Sequence, residues 1–225
     1  MTILTAHSGA DGRPDNSLEY VRYAVASGAD ALEIDVRRAA DGELRLGHDA
    51  ADPSGPSLLE AFALLREAPG MRMNCDLKEH GLEKAVCALA REAGVDGRLI
   101  LTGSADAGLY AASADMRGTA ELWVNIEEYV PGIYSDRRER TDRELSECAD
   151  RILEVCTRYG LTTVNTHYLL ARPPFTERLY AEGVGLSVWT VNDEDLIRRF
   201  LKENVYALTT RSIAAALEER KRLTV

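Results

Sequence analysis

Residues 31–50 read ALEIDVRRAADGELRLGHDA, and the first six of them decide how the rest of the chain is read. Side chains alternate faces along a strand, so Glu33 and Asp35 point one way while Leu32, Ile34 and Val36 point the other. An edge strand with one wet face would account for the alternation alone. It accounts poorly for an anionic face that runs into an Asp41-Gly42 turn and then meets His48-Asp49. Carboxylates about 6 to 7 Å apart along one strand repel each other unless a cation lies between them.

Outward from this segment, short β-like runs recur at 3–7, 31–36, 72–77, 98–102, 120–125, 161–165, 185–191 and 206–210. Helix-like stretches separate them, at 17–28, 57–68, 81–94, 105–116, 142–160, 173–183, 193–204 and 212–223. Several open on Ser, Asp or Pro and close on Gly or Asn, as capped helices do. Eight strand–helix units in 225 residues imply a parallel sheet closed on itself, the (β/α)₈ barrel of the α/β class. An open doubly wound sheet is the competing arrangement. It lacks its phosphate fingerprint here, because HSGADGRPDNS (7–17) does not have GxGxxG spacing. No repeat, low-complexity tract or linker divides the chain, so residues 1–225 are expected to form one domain.

Composition narrows the partners. A formal net charge of −10 argues against a nucleic-acid surface, which needs a basic stripe. A small phosphate ester remains compatible with that charge, since a bound metal ion supplies local positive charge. No apolar stretch approaches the roughly 20 residues of a membrane span, and MTILTAHSGADG (1–12) has no basic, apolar leader pattern, so a cytoplasmic location without membrane insertion is expected. Cys75, Cys87, Cys148 and Cys156 show no CxxC or Cys/His clustering and are expected to be reduced thiols.

In a barrel of this kind, active sites form at the C-terminal ends of the strands. Those ends carry His7, Glu33 with Asp35, Asp76 with Lys78, Thr102, Asn125, Asn165 with His167, Trp189 with Asn192, and Thr209 to Arg211. Three carboxylates on adjacent strands are hard oxygen ligands suited to Mg²⁺ or Ca²⁺, with water completing the shell. Zinc is disfavoured because no cysteine or histidine pair has ligand spacing.

With those positions placed, the sequence resembles the glycerophosphodiester phosphodiesterase family, (β/α)₈ barrels related to phosphatidylinositol-specific phospholipase C. The resemblance is carried by residues 6–50, by PSLLEAFALL (56–65), MNCDLK (73–78) and GVGLSVWTVND (183–193), in family order. It implies a metal-dependent phosphoric diester hydrolase that releases glycerol 3-phosphate and an alcohol. It implies Glu33, Asp35 and Asp76 as metal ligands and His7 and His48 as the acid/base pair. Lys78 would then help neutralise the phosphate and Trp189 form an apolar wall beside the alcohol.

The chain departs from the family pattern in several places. His-Arg-Gly reads His7-Ser8-Gly9, removing an arginine that would clamp a phosphate with two donors. Pro-Glu-Asn-Thr reads Pro14-Asp15-Asn16-Ser17, the third metal carboxylate is Asp76 where glutamate is common, and Thr-Asp-x-Pro reads Thr209-Thr210-Arg211-Ser212. Only residues 50–70 occupy the place of the usual inserted subdomain after the second strand. Arg211, or Tyr134, Arg137 or Arg138 of the long loop after the fifth strand, is positioned to supply the missing charge or contact. Two other outcomes fit the same residues: a lyase that stops at a cyclic phosphate, and a barrel that binds a phosphorylated ligand with weakened turnover.

Overall fold

The structure, a computed structural model, describes residues 1–50, 52–135 and 138–224. Ten strand segments make up a single sheet: β1 Ile3–Ala6, β2 Ala31–Arg38, β3 Leu44–Leu46, β4 Arg72–Leu77, β5 Leu99–Gly103, β6 Ala120–Leu122, β7 Val124–Asn125, β8 Thr163–His167, β9 Gly185–Trp189 and β10 Ala207–Thr210. Their order is β6-β5-β4-β2-β1-β10-β9-β8-β7, with every neighbouring pair parallel. The first and last segments of that order, β6 and β7, flank Trp123 in the chain. They are two halves of one strand, and the sheet closes through them into the expected eight-stranded ring. Trp123 N still donates to Leu101 O at 3.0 Å across the break.

Two features differ from the sequence-based expectation. β3 is an antiparallel partner of β2, with Val36 opposite Leu46 and Arg38 opposite Leu44. The Asp41-Gly42 turn therefore closes a hairpin, and Gly42 holds the positive φ of 87° that the turn requires. The expected helix at 105–116 is instead two short helices, Ala107–Ala112 and Ala114–Thr119. Ser113 has an extended backbone between them, and its hydroxyl accepts from Met116 N, so it caps the second helix rather than continuing the first.

Several other helices start on capping residues. Ser17 accepts from Tyr20 N to start Leu18–Ser27, and Gly28 ends it in the left-handed conformation. Ser57 with Glu60, and Thr141 with Glu144, form reciprocal capping boxes at the starts of Leu58–Arg66 and Asp142–Tyr159. Their apolar faces pack on the outward residues of the strands, among them Leu32, Ile34, Val36, Met73, Cys75 and Leu77, to form the main core. All four cysteines are buried and unpaired. Burial pushes the Cys87, Cys148 and Cys156 thiols up to about 11, which keeps them protonated and unreactive at neutral pH.

Inside the ring, the base is plugged by Ile100, Trp123 and Ala207 with Ile3 packed against them. Above that plug the inward side chains turn polar: Thr102 Oγ1 donates to Asn74 Oδ1 at 2.9 Å, and Asn165 Nδ2 to Asn125 Oδ1 at 2.8 Å. The apolar floor and polar upper layer put the polar inward side chains toward the C-terminal mouth.

Candidate active site

The parallel register of β2 and β4 sets Glu33 beside Asn74 and Asp35 beside Asp76. One carboxylate oxygen each from Glu33, Asp35 and Asp76 lies within 4.8 Å of the others. Glu33 and Asp35 are almost wholly buried. The donor set is three carboxyl groups, all oxygen, which suits a hard divalent ion such as Mg²⁺ or Ca²⁺.

Each carboxylate is held by a separate device. Glu33 Oε2 accepts from Ser8 N at 3.0 Å and lies 3.8 Å from His7 Nδ1. Burial pushes the Glu33 carboxyl up to about 7, with Asp35 and Asp76 adding repulsion and His7 and the Ser8 N–H opposing it. Asp35 is gripped by Asn16 and by Lys78. Burial alone would raise its carboxyl, but the Lys78 ammonium and the Asn16 amide outweigh burial and hold it below the usual range. Asp76 receives the Thr102 hydroxyl at 3.2 Å. Gly103 makes room for it: a Cβ there would overlap Asp76 Oδ1 and Leu77 O, and the glycine has a φ of 70°.

Lys78 Nζ bridges Asp35 Oδ1 at 2.8 Å and Asp76 Oδ2 at 2.5 Å. The sequence puts no neutralising partner on these carboxylates, whereas the folded chain supplies one from the end of β4. Burial would lower the Lys78 pKa, yet Asp76 and Asp35 together raise it, so the ammonium stays charged.

Seven of the eight candidate residues from the sequence line or abut one cleft of about 490 Å³ at the C-terminal mouth: His7, Asp35, His48, Asp76, Lys78, Trp189 and Arg211. Glu33, the eighth, lies beneath it against His7 and Ser8. His7 Nδ1 is 3.0 Å from Ser8 O; a carbonyl only accepts, so Nδ1 carries the proton and Nε2 is left as the basic nitrogen. His48 follows the β2–β3 hairpin, and its Nδ1 is 2.6 Å from Asp49 Oδ1. Trp189, at the end of β9, packs edge-on to Tyr134 and His167 with ring centroids 5.7 and 5.4 Å away.

The first quarter of the chain carries a family signature. Residues 7–63 match the glycerophosphoryl diester phosphodiesterase family. Over its whole length the chain shares its fold with solved structures of that name. A putative glycerophosphoryl diester phosphodiesterase from Agrobacterium tumefaciens is 16% identical with a TM-score of 0.78, the match covering 100% of this chain and 99% of that one. One from Silicibacter pomeroyi is 17% identical with a TM-score of 0.73, covering 100% and 95%. An Oleispira antarctica phosphodiesterase, solved with the product sn-glycerol-3-phosphate, is 17% identical with a TM-score of 0.70, covering 97% and 96%. Among curated protein sequences none matches this chain.

The matched segment of the phosphodiesterase family, 7–63, includes the position at which this chain carries Ser8. Ser8 is buried, and its Oγ accepts from Asn16 N at 2.7 Å. The side chain therefore fastens the loop that brings Asn16 to Asp35 and does not face the cleft as a phosphate clamp would. Arg211, leaving β10, does line the cleft, with Nη2 3.1 Å from Asp15 Oδ2. Arg138 is drawn instead to Glu144 at the start of its helix, Tyr134 turns its hydroxyl onto Thr166, and Arg137 lies outside the described residues. Glu127 and Asn125 also line the cleft. Glu127 carries no signal in the sequence, because it sits in a long polar loop with no motif around it.

Proposed function

We propose that the chain is a divalent-metal-dependent phosphodiesterase that hydrolyses glycerophosphodiesters to glycerol 3-phosphate and an alcohol. The observation that carries the proposal is the set of three carboxylates within 4.8 Å at the mouth of the barrel, in one cleft with two histidines. In this reading Glu33, Asp35 and Asp76 hold a Mg²⁺ or Ca²⁺ ion. When bound there, the ion would supply Lewis-acid stabilisation of the negative charge that develops on the phosphate.

His7 removes the proton from the attacking hydroxyl. Its Nδ1–H is committed to the Ser8 carbonyl, so Nε2 presents a lone pair to the cleft. His48 protonates the leaving alkoxide. Its neighbour Asp49 accepts from the ring at Nδ1, which leaves Nε2 to face the leaving group. Lys78 and Arg211 draw the anionic diester into an otherwise acidic cleft, and Trp189 covers the alcohol side. The attacking hydroxyl comes from water or from the substrate's own glycerol; the second route passes through a cyclic phosphate that water opens.

The test is ³¹P NMR of a glycerophosphodiester panel incubated with the protein in Mg²⁺ or Ca²⁺. Glycerol 3-phosphate as the end product supports the proposal. Cyclic phosphate that accumulates without being opened makes the protein a lyase. No conversion of any diester, with retained binding, makes it a phosphorylated-ligand binder.

A further inference from the structure

We propose that Arg37 is a positioning residue that holds His48 over the cleft and so governs the rate of its proton transfer. The proposal rests on the phosphodiesterase reading above and adds to it a residue that acts without touching the substrate.

His48 has little else to hold it. Its side chain is 66% exposed and that of Asp49, its hydrogen-bond partner, is 94% exposed, so neither is fixed by packing. The chain leaves the β2–β3 hairpin with two backbone anchors, Leu46 N to Pro56 O at 2.9 Å and Gly47 N to Asp35 O at 3.1 Å. From His48 to Ser54, among the described residues, one hydrogen bond ties the loop to the rest of the barrel: Arg37 Nε donates to His48 O at 2.7 Å. The bonds that Asp52 accepts from Ser54 and Gly55 are internal to the loop. An exposed histidine on a loop without that tether would visit the cleft only part of the time. A general acid must instead sit within hydrogen-bond reach of the leaving oxygen.

The pattern of β2 brings Arg37 to this place. Side chains two apart share a face, so Glu33, Asp35 and Arg37 form one row on the strand: two proposed metal ligands, then the tether. The sheet itself gains nothing from a cation there. Opposite Arg37 in the antiparallel hairpin lies Arg45, and like charges directly across a ladder destabilise it. Arg45 is neutralised by Asp41 at 2.9 Å, whereas no carboxylate among the described residues is within ion-pair distance of Arg37. A side chain that costs the hairpin stability and pairs with no acid spends its Nε–H on the backbone of the proposed proton donor. The spacing between the metal centre and His48 is thereby set from a single rigid strand rather than left to the loop.

The experiment measures kcat and KM of the Mg²⁺-loaded protein for glycerophosphoethanolamine, glycerophosphocholine and glycerophosphoglycerol in the wild type, Arg37→Met and Arg37→Lys, and repeats Arg37→Met in the His48→Ala background. Methionine keeps a long stem without a donor, and lysine restores an N–H. The expected result is a kcat about 10- to 100-fold lower in Arg37→Met, with KM and Mg²⁺ affinity within about twofold of the wild type. Arg37→Lys should recover part of that loss, and adding Arg37→Met to His48→Ala should cost nothing further. An equal loss in both backgrounds overturns the proposal, as does a raised KM with kcat kept, which would make Arg37 a phosphate contact. A readout that needs no turnover is ¹⁵N relaxation: the His48 and Asp49 amides should show order parameters of about 0.85 in the wild type and below about 0.6 in Arg37→Met. Mobile amides in the wild type overturn the proposal even should the variants fail to fold. Hydrolysis of none of the three diesters by the wild type defeats the phosphodiesterase reading, and the order parameters then still decide whether Arg37 holds His48.

Discussion

Asn16 and Asp35 hold each other twice: Asn16 Nδ2 donates to Asp35 Oδ2 at 2.7 Å, and Asp35 N donates to Asn16 Oδ1 at 3.0 Å. The amide thereby fixes the rotation of the Asp35 carboxylate while tying the 8–17 loop to β2. Asn16 does this from a left-handed backbone with φ 50°, which asparagine tolerates better than most residues. Asn16→Gly removes the clamp without adding backbone strain. Isothermal titration should show Mg²⁺ or Ca²⁺ affinity lower by about 10- to 100-fold, as for other groups that orient a metal ligand. Unchanged affinity would mean that Asp35 does not need its clamp, or is not a ligand.

Lys78 sits between two proposed ligands, so the ammonium and a metal ion compete for the same oxygens. Lys78→Met leaves Asp35 and Asp76 without their cation and should destabilise the metal-free protein by an amount on the order of 3 kcal/mol. The same change should enlarge the upward shift of the melting temperature on adding Mg²⁺, because the ion then repairs a larger repulsion. Equal shifts in wild type and variant would show that Lys78 and the ion do not meet.

Much of this site is legible in the amino-acid sequence alone. The alternation at 31–36 sets Glu33 and Asp35 on one face, and the β2–β4 register brings Asp76 to them because parallel neighbours in a barrel align their strand ends. What stays hidden depends on contacts distant in sequence or on single short side chains. Nothing local to Ser113 marks it as a cap rather than a helical residue, and the three-residue β3 is too short for an alternation to stand out. Asn16 stands in the Pro14-Asp15-Asn16-Ser17 stretch, but what it holds shows only once the fold carries it to Asp35, 19 residues away. Gly103 reads as the end of a strand, and only the approach of Asp76 shows why no side chain fits there.

Glu33 makes the stability of the metal-free protein depend on pH. Its carboxyl is raised from an ordinary 4.5 to about 7 in the folded chain, chiefly by burial. Between those values the folded state binds more protons at this site than the unfolded state does. Stability from Glu33 is therefore fully present below about pH 4.5 and is lost as the pH rises through about 7. Urea midpoints in EDTA should fall from pH 5 to pH 8 in the wild type, with a flatter profile in Glu33→Gln. Mg²⁺ should flatten the wild-type profile as well, since the ion replaces the proton. Parallel profiles for the two proteins would assign the pH dependence elsewhere.

The histidines separate by their surroundings. His48 is largely exposed and His7 is about a quarter exposed, so neither replacement empties a core site. His7→Ala and His48→Ala should each lower kcat by about 10² to 10⁴ while leaving the melting temperature near that of the wild type. A variant that keeps wild-type kcat would remove that histidine from proton transfer.

In the proposed reading Arg211 takes the place of the clamp that Ser8 cannot supply. Its guanidinium lines the cleft and is partly exposed, with Asp15 as its side-chain partner among the described residues. Arg211→Ala should raise KM for simple diesters several-fold or more with a smaller effect on kcat, because a charge-assisted contact to phosphate is lost from ground and transition states alike. A wild-type KM in that variant would leave Lys78 as the sole phosphate cation among the described cleft residues.

The most direct test of the central claim, that Glu33, Asp35 and Asp76 hold an ion on which phosphodiester cleavage depends, is a steady-state assay on a single glycerophosphodiester. Glycerol 3-phosphate release is followed in EDTA, then after restoring Mg²⁺ or Ca²⁺, in the wild type and in Glu33→Gln and Asp35→Asn. The account predicts no turnover in EDTA, recovery on adding the ion to the wild type, and little recovery in either variant. Full turnover in EDTA would contradict it.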